Sequence, residues 1–280
     1  MKLSTHRYGK GRVRVMKVLR DGPIHSIKEL TASIALEGDF EKSFTSADNS
    51  LVVPTDTMKN TVNVLAHQHL GSENEPFALK LAAHFLHQYP QISGVTVELC
   101  ERLWGRLRID GHGHPHSFAQ AESETPFTRL VQHRDGTRHH ESGVRDFVIL
   151  KSTGSGFCDY PKCEFTTLPE TKDRVLATRL SASWTWRTEP ADYRAAHGAI
   201  IAAMLGPFAR NYSVSVQATL WEMGQAALNA CLEISQISLA MPNLHYLPIN
   251  LAPFGRENKN EVFTPTEEPH GQIEATISRE

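Results

Sequence analysis

GRVRVMKVLR, residues 11–20, sets basic side chains against apolar ones in a period of two. That period belongs to a strand with one face in a core and one in water. IKELTASIALEG, residues 27–38, alternates in the same way and reads as the antiparallel partner. After this hairpin the period changes. Ser72-Glu73-Asn74-Glu75-Pro76 has the form of a helix start, with Ser72 as cap, Glu75 three residues on and Pro76 in the first turn. Phe77, Ala78, Leu81, Ala82 and Phe85 then share one side of a helix that ends near Tyr89-Pro90. Residues 94–110 alternate again, so the first half reads strand, strand, helix, strand, strand.

The second half keeps that order. Strands are expected at 144–151 and 178–187, a helix at 192–205 and a brief alternating run at 212–216. A second helix at 217–234 carries Leu220, Met223, Ala227, Cys231 and Ile234 in register, before strands at 236–241 and 271–278. The halves share element order more than residues: DTMKNTV at 56–62 faces only ETKDRV at 170–175. The pattern predicts an α+β protein of two tandem units, 1–140 and 141–280, each an antiparallel sheet with helices on one face. The uncovered sheet face needs closure, which assembly of several subunits into a barrel would supply.

Composition narrows the function classes. The chain has 280 residues, is 40% hydrophobic and 21% charged, and carries a formal net charge of −2. Nothing in that balance suggests a nucleic-acid partner. No stretch approaches the roughly 18 apolar residues of a membrane span, and MKLSTHRYGKGRVRV lacks the apolar core of a signal peptide. Four scattered cysteines, Cys100, Cys158, Cys163 and Cys231, do not make a disulfide framework and fit a reducing cytoplasm.

Five stretches could carry chemistry. In LVVPTDTMKNT, residues 51–61, a short apolar run meets six polar residues. Met58, Val62, Leu65 and Ala66 then fall at helical spacing, so Thr55 or Asp56 reads either as an ordinary helix cap or as part of an anion-binding corner. In LKSTGSGFCDYPKCEFTTLPETKDR, residues 150–174, a flexible turn leads to Phe157, Tyr160 and Phe165 and ends at Arg174. An aromatic face beside a guanidinium fork suits a flat, anionic, hydrogen-bonding ring. Gln217 follows the alternating SVSV run, where a helix begins. Asn243 and His245 flank Leu244 and would share a face of an extended segment. His112, His114 and His116 have the spacing of a zinc cluster, but Gly113 and Pro115 favour a surface turn there.

Taken together these residues resemble the urate oxidase (uricase) family. The resemblance rests on Tyr8-Gly9-Lys10, Asp48-Asn49-Ser50 running into Thr55-Asp56, Lys59-Asn60-Thr61, His114-Pro115-His116-Ser117-Phe118, and Leu150-Lys151-Ser152-Thr153 leading through Phe157, Phe165 and Thr166-Thr167-Leu168 to Arg174. It continues through Ser215-Val216-Gln217-Ala218-Thr219, Pro242-Asn243-Leu244-His245-Tyr246 and Asn260-Glu261-Val262-Phe263. It implies two tunnelling-fold (T-fold) units per chain and a homotetramer with active sites at subunit interfaces. It implies oxidation of urate by O2 to 5-hydroxyisourate and hydrogen peroxide, with no metal and no organic cofactor. By the same resemblance Phe157 stacks on the purine, Arg174 and Gln217 grip its edge, and Leu168 and the Val216 backbone line the pocket. Thr55 and Asp56 close the far side from a neighbouring subunit. Lys10, Thr55 and His245 form a proton relay, and Asn243 holds the O2 or water site. SRE at residues 278–280 is not a peroxisomal address, so a cytoplasmic enzyme is expected. Three other readings stay open: a pterin- or guanine-binding enzyme of the same fold, an inactive purine-binding scaffold, and a metalloprotein built on His112–His116.

Overall fold

The opening stretch is a strand. β1 (Tyr8–Leu19) pairs antiparallel with β2 (Ser26–Gly38), Lys17 lying opposite Lys28 and Val15 opposite Leu30. The register slips between Lys10 and Val13, where Arg12 adopts a φ of 58° and its N–H donates to Ser33 Oγ at 3.1 Å. A bulge of this kind bends the strand and re-aims the side chain beside it, here Lys10. Gly9 is needed for another reason. A Cβ at that position would stand 1.8 Å from the Ile34 carbonyl oxygen and 2.8 Å from Ala35 Cα, both backbone atoms. Gly9→Ala is expected to cost about 2–4 kcal/mol, read as a lower Tm, because the β1–β2 pairing must open to admit the methyl group. An unchanged Tm would refute this.

The structure is a computed structural model and describes residues 1–121 and 124–280. The chain divides into two units, Met1–Gly143 with Thr185–Arg187, and Val144–Trp184 with Thr188–Glu280. In the first, β2 continues antiparallel into β3 (Ile92–Arg102), and β3 into β6 (Thr125–His133). Helix α1 (Glu41–Thr45) is short, and α2 (Thr55–His69) and α3 (Glu75–Gln88) pack on the sheet. Leu30, Ala32, Ile34 and Leu36 of β2 are buried, as their alternation requires. They form one core with Val95, Val97 and Leu99 of β3, Met58, Val62 and Ala66 of α2, and Phe77, Leu81 and Phe85 of α3. Each fully buried large side chain stabilises the unit by about 1.5–3 kcal/mol.

Strand β7 (Arg138–Lys151) runs from the first unit into the second. The second unit continues with β8 (Leu176–Trp186), α4 (Tyr193–Arg210), α5 (Val216–Ala230), β9 (Ile234–Ala240), β10 (Asn243–Pro248), β11 (Phe263–Gly271) and β12 (Glu274–Ser278). β10 pairs antiparallel with both β8 and β11, and β9 with β12. Helices α4 and α5 pack together, and α5 lies on β9 and β12. The α+β reading with antiparallel sheets is therefore correct.

Several local expectations are corrected. Ser72 does not cap α3. That helix starts at Glu75 after Asn74, and the Ser72 carbonyl accepts from Lys28 Nζ at 2.9 Å. Residues 94–110 are two strands, broken at Leu103, and the second of them, β4 (Trp104–Ile109), turns back into β5 (His112–Gln120). The His112–His116 stretch is thus a hairpin arm. Asp110 and Gly111 form its two-residue loop with φ of 51° and 80°, the positive pair that Asp-Gly supplies in such turns. Residues 212–214 form no regular strand, and Ile234 begins β9 instead of ending α5.

Candidate active site

In the first unit, Tyr8 ties the strand carrying Lys10 to the loop leading into Thr55. Its hydroxyl accepts from Val53 N–H at 2.7 Å and donates to the Val53 carbonyl at 3.2 Å. Helix α2 then starts at Thr55 with Pro54 at the cap and no side-chain capping bond, so neither Thr55 nor Asp56 serves as its N-cap. The exposed amides of its first turn, where helix partial charge is positive, favour an anion. The polar crowd has an internal order. Lys59 Nζ donates to Asp56 Oδ1, and Asn60 Nδ2 donates to Asp56 Oδ2 at 2.9 Å. Thr61 Oγ1 donates to the Thr57 carbonyl at 2.9 Å. The hydrogen bond from Lys59 leads in holding the Asp56 carboxyl below its ordinary pKa, with the charge of Lys59, the Asn60 amide and the charge of Lys10 adding to it. Lys10, Thr55 and Asp56 are thus gathered at one end of α2.

The second unit gathers a set of its own. Phe157 N–H donates to the Thr171 carbonyl at 2.7 Å, and Thr171 N–H returns a bond at 3.1 Å. The Phe157 ring stacks on Tyr160, centroids 4.9 Å apart and 13° between planes, and the Arg174 guanidinium lies 5.5 Å from the Phe157 centroid. Arg174 is fixed by its own N–H to the Ser155 carbonyl at 2.9 Å and by Nε to Ser155 Oγ at 3.4 Å. Burial lowers its pKa from the usual value, opposed by the nearby Tyr212. A half-desolvated guanidinium favours an anionic partner.

The loop Gly154–Phe157 is sewn to the start of α5. Ser213 N–H donates to Gly154 O at 2.9 Å, and Gly156 N–H to Ser213 O at 2.8 Å. Thr219 Oγ1 donates to Ser213 Oγ at 2.7 Å. Ser215 caps the helix, accepting from Ala218 N–H at 3.1 Å. Val216 is buried and Gln217 is exposed at the first turn of that helix. Leu168, 56% exposed, lies on the same loop as Phe157, and its carbonyl accepts from Tyr160 Oη at 2.5 Å. Asn243 and His245 are two apart on β10, as their spacing predicts, with a register irregularity between them. Asn243 pairs with Thr178 of β8 and Gly271 of β11, and His245 with Thr266.

Tyr160, one of the aromatics expected to form a face, backs the Phe157 ring. Tyr212 had gone without a role in the sequence. Tyr212 holds the turn by donating to Lys172 O at 2.8 Å, and its hydroxyl would lie 2.2 Å from a Cβ on Gly156. The Gly154-Ser155-Gly156 run was the visible trace of that close approach. The histidine hairpin is different. His114 and His116 rings meet edge to face at 4.6 Å, and among the described residues no group of three or more His, Cys, Asp or Glu has an arrangement for a metal ion. Cys158 and Cys163 are free thiols. Among the described residues no helix is long and apolar enough to cross a membrane.

These features define an α+β protein with an aromatic and guanidinium corner, and a separate cluster of lysine, threonine and aspartate at a helix start. The uricase family model matches residues 6–131 and 140–274. The uricase of Arthrobacter globiformis is 37% identical over 278 residues, covering 99% of this chain and 90% of that protein. That of Cyberlindnera jadinii is 39% identical over 293 residues, covering 99% and 97%. A crystal structure of the Arthrobacter globiformis uricase superposes with a TM-score of 0.95 at 38% identity, covering 100% of this chain and 96% of that one. This chain belongs to the uricase family and has its T-fold architecture.

Proposed function

We propose that this protein is a urate oxidase. Urate, O2 and water give 5-hydroxyisourate and hydrogen peroxide, in the breakdown of purines in the cytoplasm. The reading uses no metal and no organic cofactor. Deprotonated urate is electron-rich and gives an electron pair to O2, which leaves as peroxide after gaining protons. Water supplies the hydroxyl that ends on the ring. The protein's tasks are to hold the anion, move protons and shape a site for O2.

The observation that carries the reading is the half-buried Arg174 beside Phe157. In it, Phe157 stacks on the purine while Arg174 and Gln217 bind its edge, and Leu168 and the Val216 backbone complete the pocket. Thr55 and Asp56 of a neighbouring subunit close the far side, in a homotetramer whose sheets form a barrel from T-fold units. Lys10, Thr55 and His245 pass protons, and Asn243 positions O2 or the attacking water. The amide of Gln217, with both donor and acceptor, suits a purine edge that offers both.

The test is loss of urate absorbance in aerated buffer containing a chelator, with peroxide assayed in parallel on metal-free protein. Matched urate loss and peroxide formation are expected. Urate that binds and persists would mean an inactive scaffold, and no binding would refute the reading.

A further inference from the structure

Two arginines make the same unusual set of bonds, one in each unit. Arg134 Nε donates to Ile92 O at 2.8 Å, and its Nη2 donates to Leu86 O at 2.7 Å and Tyr89 O at 2.8 Å. Arg279 Nε donates to Ile234 O at 2.9 Å, and its Nη2 donates to Leu228 O and to Cys231 O at 2.8 Å. Their backbones agree as well, Arg134 N–H donating to Ser93 O at 2.9 Å and Arg279 N–H to Ser235 O at 3.0 Å. The accepting residues 86, 89, 92 and 93 correspond to 228, 231, 234 and 235, each pair 142 positions apart. Each arginine therefore clasps the last carbonyls of a helix, α3 or α5, to the first residues of the next strand. The carbonyls at a helix end lack intrahelical partners and carry partial negative charge, so a guanidinium fork satisfies both needs.

The same correspondence sets Glu75, at the start of α3, against Gln217, at the start of α5. The two have different fates. Glu75 is buried and accepts from Thr128 Oγ1 at 2.9 Å and Ser142 Oγ at 2.6 Å. Gln217 is exposed on the helix that begins at the Ser213–Ser215 seam. Helix α5 also rests closely on the strand that leads to Arg279. A Cβ on Gly224 would lie 2.5 Å from Ile277 Cδ1. From Gly224 to Gln217 is about 10 Å of helix at 1.5 Å per residue, so a tilt of about 5° moves Gln217 by about 1 Å. A shift of that size at a binding group costs up to about 100-fold in rate or affinity.

We propose that Arg279 is a positioning residue for the substrate site: by clasping the C-terminal end of α5 it sets the place of Gln217 at the other end. The proposal rests on Gln217 contacting urate. Arg134 supplies an internal control, because its clasp has the same bonds on a helix that carries no proposed substrate group. Arg134→Ala and Arg279→Ala should both lower Tm. Arg279→Ala alone should raise KM for urate roughly tenfold with little change in kcat, and Arg279→Lys, which keeps charge but not the fork, should fall between.

Gln217→Ala is measured beside them. A raised KM for Gln217→Ala with equal KM values for Arg134→Ala and Arg279→Ala would overturn the positioning role. An unmoved KM for Gln217→Ala would instead remove the substrate contact on which it depends. Should Arg279→Ala not fold, the Arg279→Lys and Arg134→Lys pair decides the question by the same KM comparison, and equal values again overturn the proposal.

Discussion

Lys10→Met is expected to lower kcat for urate oxidation by about 100- to 10,000-fold, the range over which a positioned acid or base acts, while urate binding stays nearly intact. Methionine keeps most of the length and apolar stem of lysine and removes the ammonium. The structure separates Lys10 from the other lysine of its corner. Lys59 is engaged with Asp56 by a direct hydrogen bond, whereas Lys10 acts on Asp56 only through its charge. Lys59 therefore holds the carboxylate in place, and the proposed relay assigns proton transfer to Lys10, which makes no such bond. The bulge after Lys10 and the Tyr8 bond to Val53 hold β1 against the approach to Thr55. Thr55 is not spent on capping α2, so its hydroxyl can relay a proton. Thr55→Ala should accordingly repeat the Lys10→Met effect on kcat. Steady-state turnover from urate absorbance, with anaerobic urate binding by equilibrium dialysis, measures both quantities. Full turnover in Lys10→Met would remove Lys10 from the relay.

The first hairpin was readable because one face of β2 is buried from Lys28 to Leu36, and burial of one face forces a two-residue period. The helix α2 was readable for the parallel reason, with Met58, Val62 and Ala66 buried at helical spacing. The β4–β5 arm lacked that constraint. Its residues are mostly exposed, so the alternation read through residue 110 gave no sign that the chain breaks at Leu103 and turns back, and Pro115 argued for a turn. Only Asp110-Gly111 announced it, through a conformation that those residues tolerate. Caps misled for a related reason. Ser72 and Thr55 have the right chemistry to cap, but α3 begins only after Asn74, and Pro54 holds the cap position of α2. Side-chain type shows what a residue can do, and tertiary contacts decide what it does. The candidate site follows the same division. Phe157, Tyr160, Arg174, Lys10 and Thr55 stood out by type and motif, whereas Tyr212 emerges only from a contact 40 residues away in the chain.

Arg174→Ala should act on binding where Lys10→Met acts on turnover. The guanidinium is half-buried, its Nε donates to Ser155 Oγ, and the Arg174 main-chain N–H donates to the Ser155 carbonyl, so residue and side chain are placed before substrate arrives. Placing a cation in a partly desolvated site costs free energy, and an anion that hydrogen-bonds to it recovers that cost. A hydrogen bond to a charged group is worth about 1.5–3 kcal/mol, and a fork makes two. Losing both should raise the Kd for urate by about two to four orders of magnitude, with kcat at saturating urate much less affected. Arg174→Lys should recover only part, because an ammonium cannot bridge two acceptors on one ring edge. The comparison with Phe157→Leu tests geometry against charge. Leucine removes the stacking face and the Tyr160 contact but leaves the guanidinium, so its loss in affinity should be smaller than that of Arg174→Ala and insensitive to salt. An Arg174→Ala enzyme that binds urate as tightly as the parent would show that the anion is held elsewhere.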